Sequence, residues 1–367
     1  MASDIKTCQS KGKLVTLSLG GATGSVGFGS DSQAQDFAQT VWDLFFGGSS
    51  DMRPFGDAIL DGVDLDIEGG GSSGYVAFLT KLQSLSGSKK LYVTAAPQCV
   101  FPDASLSGVL NAFPFDAVYG KMSLSALSDF RPDIDHGSNW DFGLWDDWAR
   151  HTSPNPNVKI YIGAPADSTS AGSGYVPPDT LASIAKSMRT SFPSFGGSML
   201  WDSSSAFANN RYDLAIKTAM RAAGGTGFTF PACSAPAFVP GNNYPGGSTV
   251  SFGGYIWQSK WFSNAQPSNS PFGDWSAISA CSGNGGSATS TTTAPPSGPT
   301  AGSCSNVAAW SSSTIYSTPG TEVTFNGHLY TNNWWTQGDS PTGQSGAWTD
   351  KGACTSSRLR NSRFFRL

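Results

Sequence analysis

The sequence predicts an α/β protein: an incomplete parallel (β/α)8 TIM barrel, followed by two small disulfide-bonded β modules. Three observations lead to this prediction. Apolar strand-like runs alternate with helical patterns over the first two thirds of the chain, one of these runs carries acidic residues at alternate positions, and a pattern rich in tryptophan and cysteine occurs twice near the end. Alternating strands and helices are typical of βα units around a parallel sheet.

The strand-like runs lie at residues 14–19, 58–67, 91–95, 115–119, 158–162 and 198–201. Helical stripes of apolar residues occur within 34–45, 75–82 and 181–188. A closed barrel of this class has eight strands, so six runs predict an incomplete barrel with two open sheet edges. Open edges expose unpaired backbone groups and favour aggregation.

The run at 60–68 carries three carboxylates at alternating positions, Asp64, Asp66 and Glu68, with branched apolar residues between them. Side chains alternate faces along a strand, so the three carboxylates share one face. In a parallel barrel the apolar face packs against the outer helices, and the acidic face points into the barrel mouth.

Three interpretations of this acidic face are considered. A solvated acidic strand and a divalent-metal cluster are the less favoured ones, since the chain's three histidines are scattered without ligand spacing. The favoured reading is a group of carboxylates for general acid catalysis. Crowding raises the pKa of at least one of them, so that a proton is still held near neutral pH.

The spacing Asp61-x-x-Asp64-x-Asp66-x-Glu68 resembles the D-x-x-D-x-D-x-E signature of family 18 glycoside hydrolases, the chitinases. Segments 17–21, 95–99 and 197–202 resemble the third, fifth and eighth strands of the fungal and plant class III branch. The resemblance covers roughly residues 5 to 225. It implies that the barrel lacks its first two strands.

The resemblance also implies a reaction, the hydrolysis of β-1,4 N-acetylglucosamine linkages by a substrate-assisted, retaining mechanism. Glu68 would protonate the glycosidic oxygen, Asp66 would hold the acetamido nitrogen of the sugar, and Asp64 would set the ionisation of Asp66 through a shared proton. Trp201 would form the floor beneath the reacting sugar. Gln98, Gly20 and Gly21 are the further substrate-binding residues that it implies, and neither a metal nor a cofactor is expected.

The segment from residue 120 to about residue 136 departs from the family. Gly120-Lys121-Met122-Ser123-Leu124 stands where the family has a strand end with Gln, Tyr and Asn, and Ser123 replaces the Tyr that would hold the acetamido group. This departure, with the missing strands, predicts very low activity. The alternative function is a non-catalytic chitin-binding protein, or an incomplete, inactive product of a chitinase gene.

The repeat near the end relates two segments at an offset of 73 residues. We predict a barrel at 1–228, a module at 231–281, a Ser/Thr/Pro/Gly linker at 282–303, a module at 304–354 and a basic tail of unknown role at 355–367. Each module is small, so one disulfide in each is expected. The predicted pairs are Cys233–Cys281 and Cys304–Cys354, which leave Cys8 and Cys99 over.

Adjacent aromatic residues occur in both modules, Trp261-Phe262 in the first and Trp334-Trp335 in the second. Two neighbouring side chains of a strand cannot both face inward, so at least one of each pair is expected at the surface. Trp275 and Trp348, which precede the closing cysteines, are expected in the core. The modules resemble chitin-binding modules of the family 5 and 12 type, and the four adjacent aromatics are the predicted chitin-surface residues.

Charge and hydropathy limit the partners. With 22 basic and 26 acidic residues and a pI near 5.3, the chain has no basic face for nucleic acid. No apolar run is long enough for a membrane span. The expected partners are chitin and chito-oligosaccharides, and the expected state is a monomer. The disulfides predict a secreted, extracellular protein, although residues 1–10 do not resemble a signal peptide.

Overall fold

The computed structural model describes residues 1–22, 24, 27–71, 73–98, 100–121, 141–224, 227–282, 304, 307–316, 320–332, 336, 338–342 and 347–354. The chain divides into two compact units, Met1–Ala288 and Thr289–Leu367. Each unit is described below by itself.

A six-stranded parallel sheet forms the centre of the first unit, and its strands follow one another in chain order. The strands are β1 (Thr16–Gly20), β2 (Gly62–Asp66), β3 (Tyr92–Ala95), β4 (Ala117–Gly120), β5 (Lys159–Pro165) and β6 (Phe195–Trp201). All five neighbouring pairs are parallel. Each predicted strand-like run overlaps one of these strands, which confirms the α/β class.

Helices precede, separate and follow these strands: α1 (Ala2–Ser10), α2 (Asp31–Phe45), α3 (Tyr75–Ser86), α4 (Ser107–Ala112), α5 (Phe142–His151), α6 (Pro178–Ser191), α7 (Ser203–Ala208) and α8 (Tyr212–Ala222). The local sequence explains where several of these helices begin. The Ser30 hydroxyl accepts a hydrogen bond from the Gln33 amide and caps α2. Pro178 begins α6, where its missing N–H costs nothing.

The apolar side of β2 forms the middle of the core. Val63, Leu65 and Ile67 are fully buried in one cluster with Phe78 and Leu79 of α3. All five residues of β2 are buried, whereas those of the edge strands β1 and β6 are mostly half-buried or exposed. The best-covered strand is therefore the one that carries the acidic residues.

The first repeat packs directly onto the helices of this unit. Its strands β7 (Thr249–Phe252), β8 (Tyr255–Ser259) and β9 (Trp275–Ala280) form an antiparallel sheet closed by the disulfide Cys233–Cys281. Strand β9 lies against α5 and α6. A side chain at Gly143 of α5 would overlap the carbonyl oxygen of Ala277, so the glycine permits this close approach.

The second unit contains the second repeat, with β10 (Glu322–Phe325), β11 (His328–Asn332) and β12 (Trp348–Ala353) in an antiparallel sheet. The disulfide Cys304–Cys354 closes it, so both predicted disulfides are present. Its core contains Tyr316, Val323, Tyr330, Ala347 and Trp348. Trp275 and Trp348 are both buried, as predicted.

Two remaining expectations concern cysteine and membranes. Cys8 is an exposed free thiol on α1, and Cys99 lies outside the described residues. Within the part of the chain that the structure describes, the helices are too short or too polar to span a bilayer.

Candidate active site

Asp64 is the buried member of the acidic series. It lies on β2 directly between Ser18 of β1 and Thr94 of β3. Its carboxylate accepts hydrogen bonds from the Ser18 hydroxyl at 2.8 Å and the Thr94 hydroxyl at 2.6 Å. Burial raises the pKa of Asp64, and the two hydrogen bonds offset this only in part, while the charge of Asp66 adds to the rise. Burial therefore makes Asp64 a weaker acid than an exposed aspartate.

Asp66 and Glu68 extend the series towards solvent. Asp66 is the last residue of β2 and is 10% exposed at its side chain, whereas Glu68 lies beyond the strand and is 29% exposed. Both carboxylates contact one cation: Lys121 Nζ is 2.6 Å from Asp66 Oδ1 and 2.5 Å from Glu68 Oε1. The structure thus brings Asp66 and Glu68 together, as the alternating pattern predicts.

Lys121 reaches these carboxylates from the end of β4. Its backbone amide donates to the carbonyl oxygen of Pro97, which follows β3, so it stands at the carboxyl edge of the sheet. Burial alone would lower the pKa of Lys121, but its hydrogen bonds to Asp66 and Glu68 and their charges outweigh burial and raise it. Lys121 is therefore an ammonium group.

Sequence reasoning did not identify Lys121 as a site residue. The available signal was its position, since a cation directly after an apolar strand of a parallel sheet lies at the same edge as the residues that follow the neighbouring strands.

Two tyrosines continue this face across the sheet. Tyr119 of β4 and Tyr161 of β5 pack edge to face, with ring centroids 5.2 Å apart. Burial, followed by the charge of Asp64, raises the pKa of Tyr119 to about 12, and burial raises the pKa of Tyr161. A side chain at Gly196 of β6 would overlap the Tyr161 ring, so that glycine makes room for it. Both tyrosines present neutral hydroxyl groups at neutral pH.

Gly20 and Gly21 contact the backbone of Asp66. Both have positive φ, 107° and 88°, and a Cβ on Gly20 would overlap the carbonyl oxygen of Asp66. The Gly21 amide donates to that oxygen at 2.7 Å. The two glycines therefore let the end of β1 approach the end of β2, and a contact with substrate stays a prediction.

The other residues that the sequence predicts for the site lie at different places in the sheet and its loops. Asp61, the first acid of the signature, lies before β2 and accepts hydrogen bonds from Val15 and Gln9, so its role is structural. The backbone amide of Gln98 donates a hydrogen bond to the buried carboxylate of Asp103. Trp201 ends β6 at the carboxyl edge of the sheet and is 57% exposed. Its exposed ring is available to form the predicted floor beneath the reacting sugar.

The aromatic residues of the first repeat are at the surface, where Trp261 is 48% and Phe262 61% exposed. The Trp261 indole N–H donates to Asp274 Oδ1 at 2.9 Å, which fixes the ring. The nearby loop carries Phe272, which is also exposed. Trp334, Trp335 and Ser123 lie outside the described residues.

Comparison with known proteins adds two family matches. Residues 1–174 match the family described as glycosyl hydrolases family 18. Residues 309–349 match carbohydrate-binding module family 5/12. The first match contains the acidic series and Lys121, and the second contains Trp334 and Trp335.

Curated relatives include Chitinase 2 of Rhizopus oligosporus, 50% identical over 62% of this chain and 40% of its own length. Endochitinase 33 of Trichoderma harzianum is 40% identical over 60% of this chain and 70% of its own length. The chain spans about two fifths of the two Rhizopus chitinases that it matches.

Two solved structures share the fold at a TM-score of 0.50 and 33% identity, over 59% of this chain and 78% of theirs. One is the ICChI chitinase from Ipomoea carnea. The other is the xylanase and alpha-amylase inhibitor protein XAIP-II from Scadoxus multiflorus.

Proposed function

Because this chain belongs to family 18 of the glycosyl hydrolases, we propose that its first unit hydrolyses the β-1,4 linkages between the N-acetylglucosamine residues of chitin. The observation that carries the proposal is the position of Asp64, Asp66 and Glu68, which are ordered from a buried strand to the accessible edge of the sheet. This order leaves Glu68 accessible for proton transfer to a substrate and places Asp66 and Asp64 behind it.

Glu68 is the proposed general acid, because it is the most accessible of the three and lies beyond the end of β2, where a substrate can approach it. The acetamido oxygen of the sugar would attack the anomeric carbon as the leaving oxygen takes the proton. No protein nucleophile is then needed.

Asp66 is the proposed partner of the acetamido nitrogen. As an ionised carboxylate it would accept the N–H hydrogen bond and stabilise the positive charge of the oxazolinium ion. Asp64 is proposed to set the ionisation of Asp66 through a shared proton, and burial, which raises the pKa of Asp64, supports this role.

Two surfaces are proposed to bind chitin. Trp334 and Trp335 form the first, within the segment that matches the carbohydrate-binding family. Trp261 and Phe262 form the second, on the repeat that packs against α5 and α6, where both rings are exposed. Planar exposed rings suit the apolar faces of pyranose rings, and the fixed indole of Trp261 loses little entropy on binding.

A second candidate function is chitin binding without hydrolysis. Lys121 supports this candidate, since it occupies both Asp66 and Glu68. The same fold occurs in a protein whose name describes it as an inhibitor of xylanase and alpha-amylase. A family 18 fold is therefore compatible with a role in binding.

The two disulfides and the chitin-binding repeat support an extracellular location, where thiols are oxidised and polymeric chitin is accessible. We propose that the protein is secreted. We further propose that it acts as a monomer on chitin and its soluble oligomers.

Hydrolysis can be tested with soluble N-acetylglucosamine oligomers and the variant Glu68→Gln, with product formation followed by chromatography. A general acid contributes about 10²- to 10⁴-fold, so turnover is expected to fall by that factor. The chain's other glutamate, Glu322 on β10, supplies the control Glu322→Gln, which should leave turnover unchanged. Equal turnover by Glu68→Gln and wild type would remove the assignment. Retention on chitin with no hydrolysis by wild type would favour the second candidate.

A further inference from the structure

Lys121 stands in the position from which a substrate would have to meet both proposed catalytic carboxylates. It follows β4, its side chain is 26% exposed, and its ammonium contacts Asp66 and Glu68 together. We propose that Lys121 is an autoinhibitory residue that holds the site in an inactive state by occupying Asp66 and Glu68 at the same time. This inference rests on the proposed chitinase function.

The hydrogen-bond chemistry of the three groups supports the proposal. An ammonium group has three donors and no acceptor, so each carboxylate that it contacts must act as an acceptor. Glu68, as a general acid, must instead carry a proton and direct it towards the glycosidic oxygen. The contact of Glu68 Oε1 with the ammonium therefore opposes this task, since a neighbouring cation favours the ionised form of a carboxyl group.

Asp66 is affected in the same way. Its Oδ1 atom accepts from Lys121 at 2.6 Å, and the proposed reaction asks Asp66 to accept from the acetamido N–H of the sugar. The ammonium carries a full positive charge and the acetamido N–H does not, so the sugar must compete with a better donor. Lys121 therefore opposes binding of the sugar at Asp66 as well as proton transfer from Glu68.

The surrounding charges favour the locked state. Asp64, Asp66 and Glu68 approach Lys121 from β2 and the residues after it, while Tyr119 on β4 is neutral because burial raises its pKa to about 12. Ser18 of β1 and Thr94 of β3 add neutral hydroxyl groups. One ammonium among several carboxyl groups is stabilised where it lies, and its own pKa is raised accordingly.

Activity measurements on Lys121→Met test the proposal, since Met keeps the length of the side chain and removes its charge. We expect kcat/KM on soluble oligomers to rise at least about tenfold at neutral pH, a part of what a general acid contributes. Lys121→Arg keeps the charge and should remain as slow as wild type. The matched control is Lys90→Met, which removes the ion pair with Asp116 at the opposite edge of the sheet and should change nothing.

A second readout does not depend on turnover. The pKa of Lys121, followed by NMR of its side-chain carbon or nitrogen, should fall in Glu68→Gln, because one of the two charges that raise it is gone while burial remains. An unchanged Lys121 pKa in Glu68→Gln would show that the contact with Glu68 does not form in solution and would overturn the inference. Circular dichroism and thermal melting verify that each variant folds, and Lys121→Gln replaces Lys121→Met if the latter does not.

The outcomes separate this inference from the proposed function. If wild type hydrolyses the oligomers measurably and Lys121→Met binds them but hydrolyses them no faster, the autoinhibitory role is wrong and the proposed function is unaffected. A fall in hydrolysis would also overturn it, since Lys121 would then assist the reaction. If neither protein binds or hydrolyses the oligomers, the proposed function fails along with the inference.

Discussion

The two repeats share a sequence pattern but differ in the side chains that face their surroundings. Val250 and Val323 match at the offset of 73 residues, as do Trp275 and Trp348, and all four are buried. The positions that face α5 and α6 in the first repeat do not match. Tyr255 corresponds to His328, and Ala277 corresponds to Asp350.

These differing positions carry the contacts of the first repeat. The Tyr255 hydroxyl donates to Asp146 Oδ2 at 2.8 Å, and Asp146 is fully buried. Ser194 also donates to Asp146 through its amide and hydroxyl. Ala277 lies against Gly143. Shared positions therefore build the module, and a few unshared ones decide what it packs against.

The largest expected effect comes from giving the first repeat the residue of the second at the closest contact. Ala277→Asp would place an unpaired carboxylate between β9 and Gly143, which should lower the free energy of unfolding by about 3 to 5 kcal/mol. Urea unfolding followed by tryptophan fluorescence measures this loss. Ala277→Ser is the control of similar size and should cost much less. A wild-type midpoint for Ala277→Asp would show that this contact is not formed.

The aromatic pairs provide a comparison of binding rather than of stability. Trp334→Ala with Trp335→Ala should weaken retention on chitin beads by about 2 kcal/mol or more, since central aromatic residues commonly dominate binding. Trp261→Ala with Phe262→Ala should weaken it less, because the match to the carbohydrate-binding family lies on the second repeat. Binding isotherms on insoluble chitin give both values. A larger loss of chitin binding from Trp261→Ala with Phe262→Ala would show that the first repeat, not the second, dominates binding.

Removal of the Tyr255 hydroxyl should have an intermediate effect. Tyr255→Phe leaves buried Asp146 with one donor fewer, at a cost of about 1 to 3 kcal/mol in unfolding free energy. The control is Tyr244→Phe, whose hydroxyl bonds the backbone of Val239 at an exposed position and should contribute less. Equal unfolding midpoints for the two variants would contradict a special role for Asp146.

The smallest expected effect is a change in alkaline stability. Burial, and then the charge of Asp146, raise the pKa of Tyr255 far above its ordinary value near 10. The folded protein keeps this proton while the unfolded chain loses it, so stability falls as the pH rises above about 10. Tyr255→Phe lacks this contribution and should lose less stability between about pH 9 and 10.5, by under about 1 kcal/mol. Parallel stability curves for the two proteins would exclude the effect.

Much of the sheet could be predicted because its signal is local. The alternation of apolar and acidic residues around Asp64 fixes which side of β2 joins the apolar core and which side carries the carboxylates, and this holds whatever the partners are. The burial of Trp275 and Trp348 followed from their place in a repeated pattern. The contacts of Lys121 were not predictable in the same way, since they depend on which strands become neighbours and on the reach of a long side chain.

The attachment of the first repeat to α5 also escaped prediction. Its sequence pattern does not single out Tyr255 or Ala277, which the structure places against α5. Asp146 and Gly143 belong to a helix more than 100 residues earlier, and no spacing rule connects the two segments.

The glycine at 143 has a consequence for how the chain reaches its native state. Two copies of one module are made by the same polypeptide, and either could approach α5 while the protein assembles. Ala277 of the first repeat comes within backbone distance of Gly143, whereas the second repeat has an aspartate at the corresponding position. We therefore expect the missing side chain on α5 to favour the first repeat over its copy at this surface while the chain folds.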